Sequence, residues 1–353
     1  MSNASQSDEE GEEFEEGFPL KVTIPCGIII AVLILLAVIG NVFTIAAFVR
    51  DSKLRTVYNM YIANLAITDF LLGCISMPFY AVYTLKNYSW PFGYHFCKVY
   101  MVIDFTLCLN SVLIMIVISL DRFLLLRHGP HYEQVETKKK ALLKIILSWF
   151  ISFAVYSPAI IGWDHWTGEE SHEEGDCDVQ FAYNVPFTIS TAVVEFVVPF
   201  ISIATLNVLI YLNIRKRGMI HPTREKAYQR GGAGGKEEKD ENKGKNKKDK
   251  KSLKAAKFLA ALVVVFAVTW APYTVTTLII SACDTCVNEH VYEFLNWVLW
   301  SKASMNPFLY AANSARFLLN FKQMLSKLKC FKFERGNNNR NDENNETVAT
   351  VEG

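Results

Sequence analysis

The chain has 353 residues, 51% of them hydrophobic and 20% charged, with a formal net charge of +1. The near-zero balance supplies no basic field for a nucleic-acid partner, and none is expected. The charges lie in blocks separated by long uncharged stretches, which is foreign to an ordinary soluble domain.

In chain order, residues 1–18 form an acidic tail around Asp8–Glu16, read as disordered. A bilayer core about 30 Å thick takes about 20 apolar helical residues to cross. Seven stretches meet that length: Val22–Val49, Val57–Leu85 with Asp69, Val99–Leu120 with Asp104, Ile145–Trp163, Val179–Ile214 with Glu195, Phe258–Cys283, and Phe294–Ala312 with Lys302. Each is too long and too apolar for a soluble core helix. The expected fold class is therefore an all-α membrane protein, a seven-transmembrane helix bundle over residues 19–312. No basic segment or cleavage site precedes the first span, so it is read as a retained helix. Residues 218–250, with their GGAGG and KNKKDKK runs, are read as a flexible third inner loop. Residues 313–330 set Phe317, Leu318, Phe321, Met324, Leu325 and Leu328 at helical spacing against Arg and Lys, predicting an amphipathic eighth helix on the membrane surface. Residues 331–353 are a polar tail, read as disordered and cytoplasmic.

Alternate loops are basic: Arg50, Lys53 and Arg55, then Arg127 and Lys138–Lys140, then the lysine run before the sixth span. The opposite side is acidic. The positive-inside rule then places the N-terminus outside and the C-terminus in the cytoplasm of a multi-pass cell-membrane protein. The sequons at Asn3 and Asn87 fall outside, where glycans are added; the one at Asn345 falls inside. Cys97 and Cys177 face the oxidising side, where pairing would tie the second outer loop to the bundle. Cys283 and Cys286 form an outer CxxC, read as a local disulfide rather than a zinc site. Cys26, Cys74 and Cys108 are read as membrane-buried, and Cys330 as a palmitoylation site.

Ionisable residues inside a membrane are costly and mark function. Asp104 lies eighteen residues before Arg122, five helical turns or about 27 Å along one face. Ser111 lies between them on that face. One helix thus carries an anion near the outer mouth and a cation at the inner boundary. No basic residue sits at comparable outer depth in the spans, so Asp104 calls for a cation from outside, and a protonated amine supplies one.

Asn41 in GNVFTI, Leu65–Asp69 in NLAITDF, Cys97, Asp121-Arg122-Phe123, Trp149, Pro199, Phe266, Trp270-Ala-Pro272 and Asn306-Pro307-Phe-Leu-Tyr310 occur in the order found in rhodopsin-like (class A) G-protein-coupled receptors, which this chain resembles. The run from Val193 through Asn207 and Tyr211, the DFTLC run Asp104–Cys108 and the WVLW run Trp297–Trp300 are similar to the third and fourth histamine receptor subtypes of the aminergic group. The resemblance implies a ligand site of Asp104, Phe105, Cys108, Glu195, Trp270, Tyr273 and Trp300, with Asp104 holding an ammonium and Glu195 accepting from an imidazole. It implies a coupling switch of Asp121, Arg122, Asn207, Asn306, Pro307 and Tyr310. It also implies equivalents of a sodium pocket at Asp69, Ser111 and Lys302, with Lys302 expected to pair with Asp69. The implied partners are a small-molecule amine, a heterotrimeric G protein of the inhibitory type, arrestin, receptor kinases and the lipid bilayer. No cofactor or resident metal is implied.

The chain departs from the relatives at Phe105, where a tyrosine is common, at Lys302-Ala303, where Asn-Ser is usual, and at Ser252, where an acidic partner for Arg122 often stands. A light-sensing opsin is disfavoured, because its lysine position is Trp300 here and two residues rotate a side chain by roughly 200°. A transporter would show paired repeats, and an enzyme a nucleophile–base or metal constellation; neither pattern is present in the sequence. Among amines the rival is acetylcholine, which has no ring N–H for Glu195 and whose receptors carry an asparagine where Thr274 stands.

Overall fold

The apolar runs become seven long helices in the computed structural model, which describes residues 19–168, 175, 177–220 and 236–327. For 217–220, 236–252 and Asp284 it describes the backbone alone. The expectations for residues 1–18, 221–235 and 328–353, with Asn3 and Cys330 among them, lie outside the described residues.

The helices are α1 (Leu20–Arg50), α2 (Val57–Leu85), α3 (Tyr94–His128), α4 (Lys138–Thr167), α5 (Val185–Lys216, with backbone helical to Ile220), α6 (Lys236–Ala282) and α7 (Glu289–Asn313). Residues 315–327 form a further helix, α8. Among the described residues, α1 to α6 are long and apolar enough to cross a membrane by composition alone. The seventh is less apolar because it turns Glu293, Asn296, Lys302 and Asn306 inward.

Local chemistry sets the boundaries. Thr56, Thr137 and Asn184 cap α2, α4 and α5 by accepting from backbone N–H groups, which helix starts leave unpaired. Two wide π turns, Leu72–Ser76 in α2 and Val193–Val197 in α5, precede Pro78 and Pro199 closely. Proline deletes a backbone donor, and the wider turn absorbs the misfit while re-aiming the side chains it carries. Glu195 sits inside the second of these turns.

The central pillar is α3: 61% of its most apolar window is buried, against 11% for α1. Polar clamps fix rotation in a medium without competing water. Asn41 Nδ2 donates to the Ala303 carbonyl at 3.0 Å and Ser304 Oγ to that of Leu33 at 2.7 Å, joining α1 to α7. Asn110 Nδ2 donates to Thr68 Oγ1 and Ser148 Oγ to Asn110 Oδ1, joining α2, α3 and α4. Gly40 lets α7 approach; a Cβ there would lie 2.7 Å from Pro307 Cγ. The disulfides Cys97–Cys177 and Cys283–Cys286 are both formed. Asn87 lies in the turn after α2 with a positive φ of 56°.

Two expectations need correction. The backbone from Lys236 to Lys250, read as flexible, is helical and continuous with α6; Lys and Glu are good helix formers, and extending a helix needs no new nucleus. The fifth span starts at Val185 rather than Val179, behind a 3₁₀ turn, Gln180–Tyr183. Of the three cysteines read as membrane-buried, Cys26 and Cys74 lie on the outside of the bundle, and Cys108 alone is buried within the protein. A small apolar side chain gains nothing by turning inward when the outside is hydrocarbon.

Candidate functional site

Asp104, 9% exposed, faces a narrow cavity of about 70 Å³. Phe105, Glu195, Tyr273 and Trp300 line the same space, so five of the seven expected ligand residues converge from α3, α5, α6 and α7. The other two lie deeper. Cys108, one turn along α3, points its thiol toward Asp104 Oδ1 at 4.0 Å. Trp270 packs on Phe266 below the cavity, with centroids 5.6 Å apart. The Cys97–Cys177 bond draws Cys177, Asp178 and Val179 across the mouth, where they join the lining. Ligand sites usually span about 300–1,000 Å³, so this closed space favours a small guest.

Ser76 Oγ and Trp300 Nε1 lie against the Asp104 carboxylate, and Trp300 Nε1 also reaches the Cys108 thiol. No Lys, Arg or His is among the described lining residues. Glu195 Oε2 accepts from Tyr156 Oη of α4 at 2.5 Å, and Tyr156 in turn packs on Phe105 with centroids 4.9 Å apart. Sequence reasoning missed Tyr156. Nothing in an uninterrupted apolar helix says which of its tyrosines faces inward, and Pro158 two residues on was the nearest signal.

A second polar layer lies below. Lys302, 2% exposed, donates from Nζ to Ser111 Oγ at 2.9 Å and lies 5.4 Å from the Trp270 ring centroid. Asp69 Oδ2 accepts from Asn306 Nδ2 at 2.6 Å. The expected direct pair between Lys302 and Asp69 is not formed; Ser111 stands between the two charges. Lys302 enters the bundle from α7 at the level of Trp270, one layer above Asp69, so the hydroxyl takes the bond.

At the far end of α3, Arg122 donates to Asp121 Oδ2 from Nη2 at 2.8 Å and from Nε at 3.1 Å. Its guanidinium lies 3.6 Å from the Tyr58 ring centroid. Asp121 also accepts from Tyr132 Oη at 3.2 Å. Asn207 is occupied with its own helix, donating to the Ile203 carbonyl at 2.8 Å, while Tyr310 is buried beside Phe258 and Phe317. Pro307 is buried against α1. Arg122 is thus latched within its own helix and against α2, and Asn207 and Tyr310 stand apart from it. The Ser252 side chain lies outside the described residues.

The sequence model of the seven-transmembrane receptors of the rhodopsin family matches residues 40–310. The histamine H4 receptor of Mus musculus is 26% identical over an alignment covering 88% of this chain and 94% of that protein. The histamine H2 receptor of Homo sapiens is 29% identical, covering 86% of this chain and 79% of that protein. The muscarinic acetylcholine receptor M4 of Gallus gallus is 31% identical over 56% of this chain and 40% of its own length.

Proposed function

The chain belongs to the rhodopsin family of seven-transmembrane receptors, and from that premise we propose that its ligand is a protonated biogenic amine, histamine foremost, and its effector a heterotrimeric G protein of the inhibitory class. It is a multi-pass membrane receptor of the aminergic group and not an enzyme. One observation carries the ligand assignment: Asp104 and Glu195 line a single cavity with no cationic side chain among its described lining residues. Lys302, bonded to Ser111 in the layer below, acts on Asp104 only at a distance. A carboxylate shut away from water without a cation in contact is costly, and an ammonium from outside relieves Asp104. Glu195 keeps Tyr156 on one oxygen and offers the other to an imidazole N–H. Charge-assisted bonds at both ends select a guest of fixed length. Acetylcholine has no N–H for the second end.

The N-terminus and the disulfide end are read as extracellular, and the Arg122 end as the face for G protein, arrestin and receptor kinases. Activation is a population shift. A ligand bridging Asp104 and Glu195 draws α3 toward α5 and repacks Pro199, Val112 and Phe266, the last already 5.7 Å from Phe196. The helix α6 then swings outward below Pro272, and Arg122 leaves Asp121 and Tyr58 for the opened cleft. Lys302 acts as a tethered cation in the layer where relatives would bind sodium.

Sensors of G-protein dissociation, expressed with the full-length receptor and challenged with histamine and with acetylcholine, test the assignment. Histamine should activate the inhibitory class, with its potency lowered by about thirtyfold or more in Asp104→Asn at equal surface expression. Activation by acetylcholine alone would overturn the histamine reading, and silence toward every amine would overturn the amine reading.

A further inference from the structure

The helix α7 buries a second carboxylate that the amine cavity does not use. Glu293 is 4% exposed; its Oε1 accepts from Tyr80 Oη at 2.7 Å, and its Oε2 has no partner. The charged groups it feels are Asp178 and Glu289, both acidic. His290, one turn earlier, is engaged with Tyr88 Oη at 2.8 Å. Glu293 lies at the head of a groove of about 680 Å³ between α1, α2 and α7, whose walls include Val22, Ile29, Leu33, Phe294 and Val298. The outer rim is open: Ile29 is 61% and Phe294 65% exposed, on the face that meets hydrocarbon. From Glu293 the groove runs to Ser301, eight residues or about 12 Å of helix.

We propose that this groove binds an amphiphilic amine, a single alkyl chain bearing a protonated amino head, which enters from the bilayer and, by parting the side chains that cover Oε2, sets its ammonium on Glu293. The argument is complementarity on two counts. A buried carboxylate with an unmet oxygen whose charged neighbours among the described residues, Asp178 and Glu289, are acidic calls for a cation. An apolar channel open to lipid admits that cation only on a hydrocarbon chain. A water-borne amine has a different route, through the mouth over Asp104. The two sites touch through Tyr80, whose hydroxyl holds Glu293 while its ring packs on Trp300 at 4.7 Å and lines the Asp104 cavity. An alkylamine on Glu293 therefore bears on the ring that walls the other site.

The free thiol of Cys26 lines the groove and reports on it, while the free thiol of Cys74, outside it, serves as the control. The full-length receptor in uncharged phosphatidylcholine nanodiscs is labelled with a lipid-soluble maleimide, and the two cysteine peptides are followed by mass spectrometry. N,N-Dimethyldodecylamine, a tertiary amine that forms no stable adduct with maleimide, should at saturation slow labelling at Cys26 by about tenfold or more and leave Cys74 unchanged. Dodecanol and N-acetyl dodecylamine, which fill the same space without charge, should leave both rates near their starting values. Glu293→Gln, which keeps an acceptor for Tyr80, should abolish the protection by the amine. Equal protection by the neutral analogues, no protection by the amine, or protection that survives Glu293→Gln would each overturn the proposal. The comparison of amine with neutral analogues in the unmodified receptor stands even if the variant fails to fold.

Discussion

Replacing Lys302 with Met keeps an unbranched side chain of similar length and removes only the ammonium. In the native receptor that ammonium is buried, bonded to Ser111 at 2.9 Å and set 5.4 Å from the Trp270 ring. Its loss leaves Ser111 without its donor and Asp69 without the nearby positive charge. Removing one partner of a buried charge pair costs about 3–5 kcal/mol. Asp69 keeps the Asn306 amide at 2.6 Å, and Ser111 separates it from the ammonium, so the lower end applies, about 3 kcal/mol. At roughly 2–4 °C per kcal/mol, Lys302→Met should melt roughly 6–12 °C below the native receptor. Fluorescence-detected size exclusion after stepwise heating measures this in detergent. Adding Asp69→Asn removes the carboxylate left uncompensated, so the double variant should regain more than half of the loss; contacting residues are not additive. An unchanged midpoint for Lys302→Met, or fully additive losses in the double variant, would refute the coupling. The same geometry makes agonist affinity equal in sodium and in N-methylglucamine, with Lys302→Asn acquiring sodium sensitivity. Strong sodium inhibition of the native receptor would show that the ammonium does not occupy this layer.

Asp104→Asn should weaken amine agonists by about 2–5 kcal/mol, the cost of losing one member of a buried charge pair, and unchanged potency at normal surface expression would contradict it. Glu195→Ala should harm histamine more than amines without a ring N–H; equal losses across both sets would reduce Glu195 to a partner of Tyr156. Cys97→Ser should abolish ligand binding or surface expression, because the loop residues lining the cavity mouth lose their tether. Asp51, just past the end of α1, accepts from Arg316 Nε at 2.7 Å and from Asn320 Nδ2 at 3.2 Å, and the Arg316 bond holds its carboxyl below the ordinary value. A lowered value means the contact is complete at neutral pH and is lost as pH falls through that value. Hydrogen exchange in 315–327 should thus rise in Asp51→Asn at neutral pH, and native exchange, corrected for its intrinsic pH dependence, should stay flat down to about pH 4. A native transition well above that pH would refute the assignment.

Seven spans, their order and the polar residues inside them were legible in the sequence, because hydrocarbon thickness fixes span length and a lone charge in an apolar run is costly enough to mark itself. Asp104, Glu195 and Lys302 stood out for that reason, and the pairing of Cys97 with Cys177 was open to inference from sidedness. Rotation of each helix about its own axis was not legible. A span that is apolar on every side carries no stripe to show which face turns inward, so the exposure of Cys26 and Cys74 could not be read. Tyr156 on Glu195, Glu293 under Tyr80 and Lys302 on Ser111 rather than Asp69 each require knowing where two helices meet. Those meetings are set by close packing, as at Gly40 against Pro307, and by cross-helix bonds such as Asn41 to Ala303. Residues hundreds of positions apart decide them together, and only the tertiary structure brings them into contact.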